Sequence, residues 1–134
     1  MADPETILLV EDDPDIREIV ALSLEALGGF SVVSCSDGEE ALRELRHCRP
    51  DLVLLDWMMP GMNGGETLAA MRREELLGDT PVAFMTAKTR PHEVERIMEL
   101  GACAVITKPF DPTALARQVR GLIGQAEGGF GEPG

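Results

Sequence analysis

Basic residues are scarce. Twelve Lys and Arg stand against 24 Asp and Glu in 134 residues, giving a net charge of -12 and a pI near 4.5. Such a surface repels phosphate backbones and anionic lipid, so direct nucleic-acid binding is disfavoured. Cysteine is also sparse: Cys35, Cys48 and Cys103 are widely separated, with no CxxC pair and no His at a zinc-site spacing. That argues against a zinc centre or a disulfide framework and fits a reducing cytosol. No aliphatic run is longer than four residues, and Met1 to Thr6 is polar and acidic. Neither a membrane span nor a signal peptide is expected, and the expected location is the cytoplasm. No internal repeat accompanies these absences, and no low-complexity segment precedes the Gly-rich end.

What is present is apolar material, 44% of the chain, enough for one soluble globular domain at roughly 150 residues per domain. It falls into five short runs: Ile7 to Val10, Phe30 to Val33, Leu52 to Leu55, Val82 to Met85 and Ala102 to Ile106. Several lack in/out alternation, as expected of strands covered on both faces in a parallel sheet. Between them lie helical signals. Pro14 opens a helix over about 14–27 with Ile16, Ile19, Val20, Leu24 and Leu27 on one stripe, stopped by Gly28. Asp37 and Glu40 resemble a capping box for a helix over 38–48, and Asn63 is a candidate cap for a third helix running to about Leu77. There Gly64 and Gly65 weaken the first turn by about 1 kcal/mol each. A fourth helix is expected from Pro91 to Gly101, and a fifth from Asp111-Pro112 with Leu115, Val119, Leu122 and Ile123 inward. The pattern predicts an α/β fold of (βα)5 type, a domain over 5–124 and a flexible Gly-rich tail over 125–134, where Phe130 is the one anchor candidate.

The informative residues are those that follow the runs. Ile7 to Val10 ends in Glu11-Asp12-Asp13, Leu52 to Leu55 in Asp56, Val82 to Met85 in Thr86, and the last run reaches Thr107-Lys108. In an open parallel sheet these strand ends share one edge, where ligands bind. The chain's excess acidity belongs to its first half: residues 1–67 hold 15 acids and 4 bases, residues 68–134 hold 9 and 8. Two carboxylates within ~4 Å repel by roughly 4 kcal/mol at an effective dielectric near 20, so converging acids require a cation. A hard ion with oxygen ligands beside a phosphoryl group points to Mg2+. Taken alone, Glu11 to Asp13 serve equally well as helix-start charges, and Asp13 is the expected N-cap before Pro14. Asp56 changes the balance, because it leaves an aliphatic strand for a loop fixed by Pro60 and turned at Gly61. There it is poised as a nucleophile. Thr86 can donate to one phosphoryl oxygen and Lys108 can set a point charge on another. Separately these two read as a strand-end hydroxyl and a solvated loop lysine; their convergence gives them a site role.

Four segments carry a resemblance: Ile7-Leu-Leu-Val-Glu-Asp-Asp13, Leu54-Leu-Asp56-Trp-Met-Met-Pro-Gly-Met-Asn-Gly64, Met85-Thr86-Ala87 and Thr107-Lys108-Pro109-Phe110. In order and spacing the chain resembles the receiver domain of bacterial two-component response regulators. The resemblance implies a flavodoxin-like three-layer fold with strand order 2-1-3-4-5. It implies Asp56 as phosphoacceptor, Asp12 as a direct Mg2+ ligand, Glu11 acting through water, and the Met58 backbone carbonyl as a further ligand. Thr86 and Lys108 bind the phosphoryl group, Ala87 is small where that group approaches, and Lys108-Pro109 is expected to be cis. The implied partners are a sensor histidine kinase or histidine phosphotransfer protein and a downstream protein target. The chain is expected as a monomer or a phosphorylation-dependent dimer, with no nucleic acid or membrane partner.

One departure stands out. Val105 occupies the position, three residues before Lys108, where the family commonly carries Tyr or Phe. A stiff β-branched side chain cannot swing a ring, so output is expected to be muted or to use another route. Met58 and Lys88 flank the site without a group to orient water, which predicts a persistent acyl phosphate. Two other readings stay open: a receiver-like interaction module that is never phosphorylated, and a haloacid-dehalogenase-like phosphatase. The second needs an Asp two residues after the nucleophile, where Met58 stands. Output by protein contact is expected, with Leu22 and a nearly neutral face carrying Arg90, Arg96, Arg117 and Arg120 as docking candidates. His47 and His92 are expected at the surface.

Overall fold

The computed structural model describes residues 4–87 and 90–128, with side chains described as far as Gln125. Five β/α pairs follow one another: β1 (Thr6–Val10), α1 (Pro14–Gly28), β2 (Ser31–Cys35), α2 (Gly38–Leu45), β3 (Leu52–Asp56), α3 (Gly64–Arg73), β4 (Val82–Thr86), α4 (Pro91–Glu99), β5 (Ala104–Thr107) and α5 (Pro112–Gly128). All pairings are parallel and the strand order is β2-β1-β3-β4-β5, as expected for the flavodoxin-like fold.

Strand periodicity sorts the core into two layers. Leu8, Val10, Val53, Leu55, Val82 and Phe84 point to one face, where they meet Leu42 and Leu45 of α2, Leu68 and Met71 of α3 and Ile97 of α4. Ile7, Leu9, Leu52, Leu54, Ala83 and Met85 point to the other, against Val20 and Leu24 of α1 and Leu115, Val119 and Ile123 of α5. Each large aliphatic side chain so buried contributes about 1.5–3 kcal/mol, which is why the central strands read as unbroken apolar runs.

The helix starts are fixed locally. The Asp13 side chain accepts from the amides of Asp15 and Ile16, with Pro14 behind it, and Gly29 closes α1 at φ 71°. Asn63 and Glu66 form a complete capping box for α3. The box expected at α2 is only half made. Asp37 accepts from the Glu40 amide, but Glu40 accepts instead from the amide and hydroxyl of Ser36, which together offer two donors where Asp37 offers one.

Several expected boundaries move. Helices α2, α3 and α4 end at Leu45, Arg73 and Glu99, short of 48, 77 and 101, and α5 continues to Gly128, past Gly124. Residues 129–134, with Phe130, lie outside the described residues, as does Lys88. The apolar stripe of α1 is narrower than expected: Ile19 and Leu27 are 49% and 56% exposed. Helix α1 packs into the angle between the sheet and α5, and these two residues fall on grooves at its flanks instead.

Candidate functional site

The strand ends meet at one edge, and the backbone there is tied across strands. The Glu11 amide donates to the Cys35 carbonyl, that of Trp57 to Met85 and that of Lys108 to Thr86, each at 2.9–3.0 Å. Glu11, Asp56 and Thr86 are all buried, at 1%, 3% and 1% exposure, although each follows or closes an apolar strand. Charged groups buried this deeply persist only when paired.

Lys108 provides the pairing. Its Nζ lies 2.8 Å from Oε1 of Glu11 and 3.1 Å from Oδ1 of Asp56. The Lys108-Pro109 peptide is cis, as expected. The half-buried Asp12 completes the acid group, in which one carboxylate oxygen from each of Glu11, Asp12 and Asp56 lies within 4.8 Å of the others. Burial, reinforced by the Glu11 charge and only partly offset by Lys108, lifts the Asp56 carboxyl from 3.8 to about 7. Burial pulls the Lys108 ammonium down, but hydrogen bonds and charge from Glu11 and Asp56 outweigh it and leave the group above its usual 10.5. Among the described residues one ammonium therefore faces an excess of carboxylate, and the donors are hard oxygens. That combination fits a small divalent cation.

The expected site residues are brought together as follows. Glu11, Asp12, Asp56 and Lys108 form one cluster. Thr86 is buried at the end of β4, in register with Thr107 and tied to Lys108 through its carbonyl. Ala87 is exposed and lines an apolar groove with Ile16, Ile19, Lys108, Pro109 and Phe110. Met58, two residues past Asp56, exposes its side chain. Val105 is half-buried, in register with Phe84, and packs against the α2–α3–α4 layer.

Other expectations need correction. Arg96 does not share a face with Arg117 and Arg120. Arg117 and Arg120 line a groove with Leu27 and Gly28 at the α1–α5 seam, where Arg120 pairs with Glu5 and sits 4.3 Å over the Phe30 ring. Arg96 lies instead beside Trp57 and Ile97. A helical face spans only every third or fourth residue, and the α5 arginines fall on the side turned to α1. Leu22, His47 and His92 are exposed, as expected.

Gly64 plays a part that the sequence reading missed. A Cβ there would lie 2.5 Å from the Asp56 carbonyl and 2.9 Å from both Phe84 Cε1 and Trp57 Cα. Its amide donates to the Trp57 carbonyl at 3.0 Å. The start of α3 thus rests directly on the backbone of Asp56, an approach only glycine permits. The Gly-Gly pair in the sequence carries the signal, which the cost of glycine to a helix does not by itself convey.

A family model for the response regulator receiver domain matches residues 7–120. The phosphate regulon transcriptional regulatory protein PhoB of Escherichia coli is 39% identical over 117 residues, 87% of this chain and 51% of that protein. The DNA-binding response regulator MtrA of Mycolicibacterium smegmatis is 38% identical over 123 residues, 92% of this chain and 52% of that protein. Among solved structures, the chemotaxis response regulator CheY4 of Vibrio cholerae aligns with a TM-score of 0.82 at 30% identity, covering 90% of this chain and 99% of that one. The chain spans about half the length of the curated relatives it matches. Among the described residues no helix is long and apolar enough to cross a membrane. Strand order, edge and family model agree along nearly the whole sequence, and the chain belongs to the response regulator receiver domain family of two-component signalling.

Proposed function

We propose that Asp56 accepts a phosphoryl group from a phosphohistidine on a sensor kinase or a histidine phosphotransfer protein. The observation that carries this reading is the buried Asp56 carboxylate, 3.1 Å from the Lys108 ammonium and within 4.8 Å of two further acids. An oxygen of Asp56 forms a bond to phosphorus as the bond from phosphorus to the donor imidazole breaks, and the imidazole leaves as the neutral ring once protonated by solvent. Lys108 and Thr86 hold the phosphoryl oxygens while charge shifts from donor to acceptor. Ala87 leaves the approach open. Glu11, Asp12, Asp56 and the Met58 carbonyl would hold Mg2+, which when bound neutralises the acids and the incoming phosphoryl charge. The apolar groove beside Lys108 gives the donor protein a surface to rest on.

The chemistry is self-catalysed and single-turnover. Met58 stands where a phosphatase would need a second Asp, so nothing there transfers a proton to speed hydrolysis. The same side chain, exposed beside the site, supports a long-lived acyl phosphate. Val105 supports an output that does not depend on a swinging ring; the downstream partner is a protein, met by a monomer or a phosphorylation-dependent dimer.

Incubation with a small-molecule phosphodonor and Mg2+, read by intact mass, tests the proposal. One phosphoryl group is gained by the native protein and none by Asp56→Asn or in the presence of chelator. Absence of any gain in the native protein would replace this reading with that of an unphosphorylated interaction module.

A further inference from the structure

Every polar atom of Glu11 has a partner. Its amide donates to the Cys35 carbonyl at 3.0 Å, Oε2 accepts from the Asp13 amide at 3.1 Å, and Oε1 accepts from Lys108 at 2.8 Å. Its carbonyl accepts from Nη1 of Arg17 at 2.9 Å. This last bond differs in kind from the others. The ladders of β1 with β2 and β3 both end at Val10, opposite Cys35 and Leu55, so the Glu11 carbonyl lies one residue beyond them. Glu11 is buried, and a buried carbonyl without a strand partner must find a donor elsewhere. A half-buried arginine in α1 supplies it.

Arg17 is attached to this segment twice. Its amide donates to the Asp13 carbonyl at 2.9 Å and its guanidinium to that of Glu11, so the two bonds bracket Asp12 from either side. Fixing the Glu11-Asp12 peptide plane fixes the direction in which the Asp12 side chain leaves the backbone. A charge-assisted bond does this more firmly than a neutral one. We infer that Arg17 is a positioning residue, which holds the Glu11-Asp12 link so that both carboxylates are aimed for a divalent cation. It touches neither the cation nor the phosphoryl group. The inference rests on the proposed cation role of the acid cluster.

The test uses the full chain and Mg2+ alone, titrated by fluorescence of Trp57 and independently by calorimetry. Arg17→Met is expected to weaken Mg2+ binding about 10-fold, the lower end of what loss of an outer support costs a metal site. Arg17→Lys, which restores one donor, recovers most of the affinity. At saturating Mg2+ the Met variant labels with phosphodonor at the native rate, because the defect is in affinity. Leu24→Val loosens the packing of α1 without touching Glu11 and keeps native affinity. Native Mg2+ affinity in Arg17→Met, an equal loss in Leu24→Val, or slow labelling that saturating Mg2+ does not cure would each overturn the positioning role. No Mg2+ response in the native protein by either method would instead remove the cation site itself, and the role of Arg17 with it.

Discussion

The two ends of the sheet are built from similar residues and do opposite things. At the N-terminal end, Arg49, Asp51, Asp79 and Thr80 line a groove with Pro50, Pro81 and Ile123. Its polar groups are used by the fold: Asp51 accepts from the Thr6 amide at 2.7 Å, its own amide donates to the Thr6 carbonyl at 2.7 Å, and the Thr80 hydroxyl donates to Pro50 at 3.1 Å. At the C-terminal end the acids face one another and, among the described residues, a single ammonium. The groove at the N-terminal end is therefore a structural one. The proposed site sits where side-chain charge is left in excess, and concavity alone does not locate it.

The sharpest contrast is between two aspartates. Asp56→Asn abolishes phosphoryl gain by intact mass, whereas Asp51→Asn, which keeps an oxygen for the Thr6 amide, labels at the native rate. Loss of labelling in the Asp51 variant would break the distinction between the ends. Next comes Lys108→Met, which strands two buried carboxylates. Without Mg2+ it is expected to lose about 3–5 kcal/mol in urea unfolding, with most of that restored by Mg2+. Gly64→Ala pushes a methyl group into the Asp56 carbonyl and should cost about 1–3 kcal/mol as overpacking, with slower labelling as well.

The pH dependence sharpens the comparison further. Asp56 holds its proton more tightly folded, at about 7, than at the ordinary 3.8. Its share of stability is fully present below 3.8 and is lost as pH rises through about 7. Relative to Asp56→Asn, the Mg2+-free native protein should thus lose on the order of 3 kcal/mol between about pH 4.5 and 8. Mg2+ should reverse the loss at the upper pH and not at the lower. Lys108, raised above 10.5, stays charged throughout and adds no slope. The smallest effect belongs to the structural end. Thr80→Val removes one partly buried hydrogen bond, costs about 0.5–1 kcal/mol and leaves labelling unchanged.

The sequence by itself determined the strands, their order of appearance and the chemistry at their ends. The reason is that these signals are local. An unbroken apolar run declares a strand covered on both faces, Asp13 and Asn63 declare helix starts, and acids placed directly after strands fall on one edge whatever the packing details. What tertiary structure alone decided lies between residues far apart in the chain. Lys108 meets Glu11 across 97 residues and Asp56 across 52, and no local pattern says that one ammonium serves both. The same holds for Gly64 beneath the Asp56 carbonyl and for Arg120 turned away from Arg96. Arg17 is close in sequence to Glu11, yet its task arises only because the β1 ladder stops at Val10, a limit set by the neighbouring strands. Residue types and spacing fix which groups are present; the packing of sheet and helices fixes which of them must share a proton, a charge or a bond.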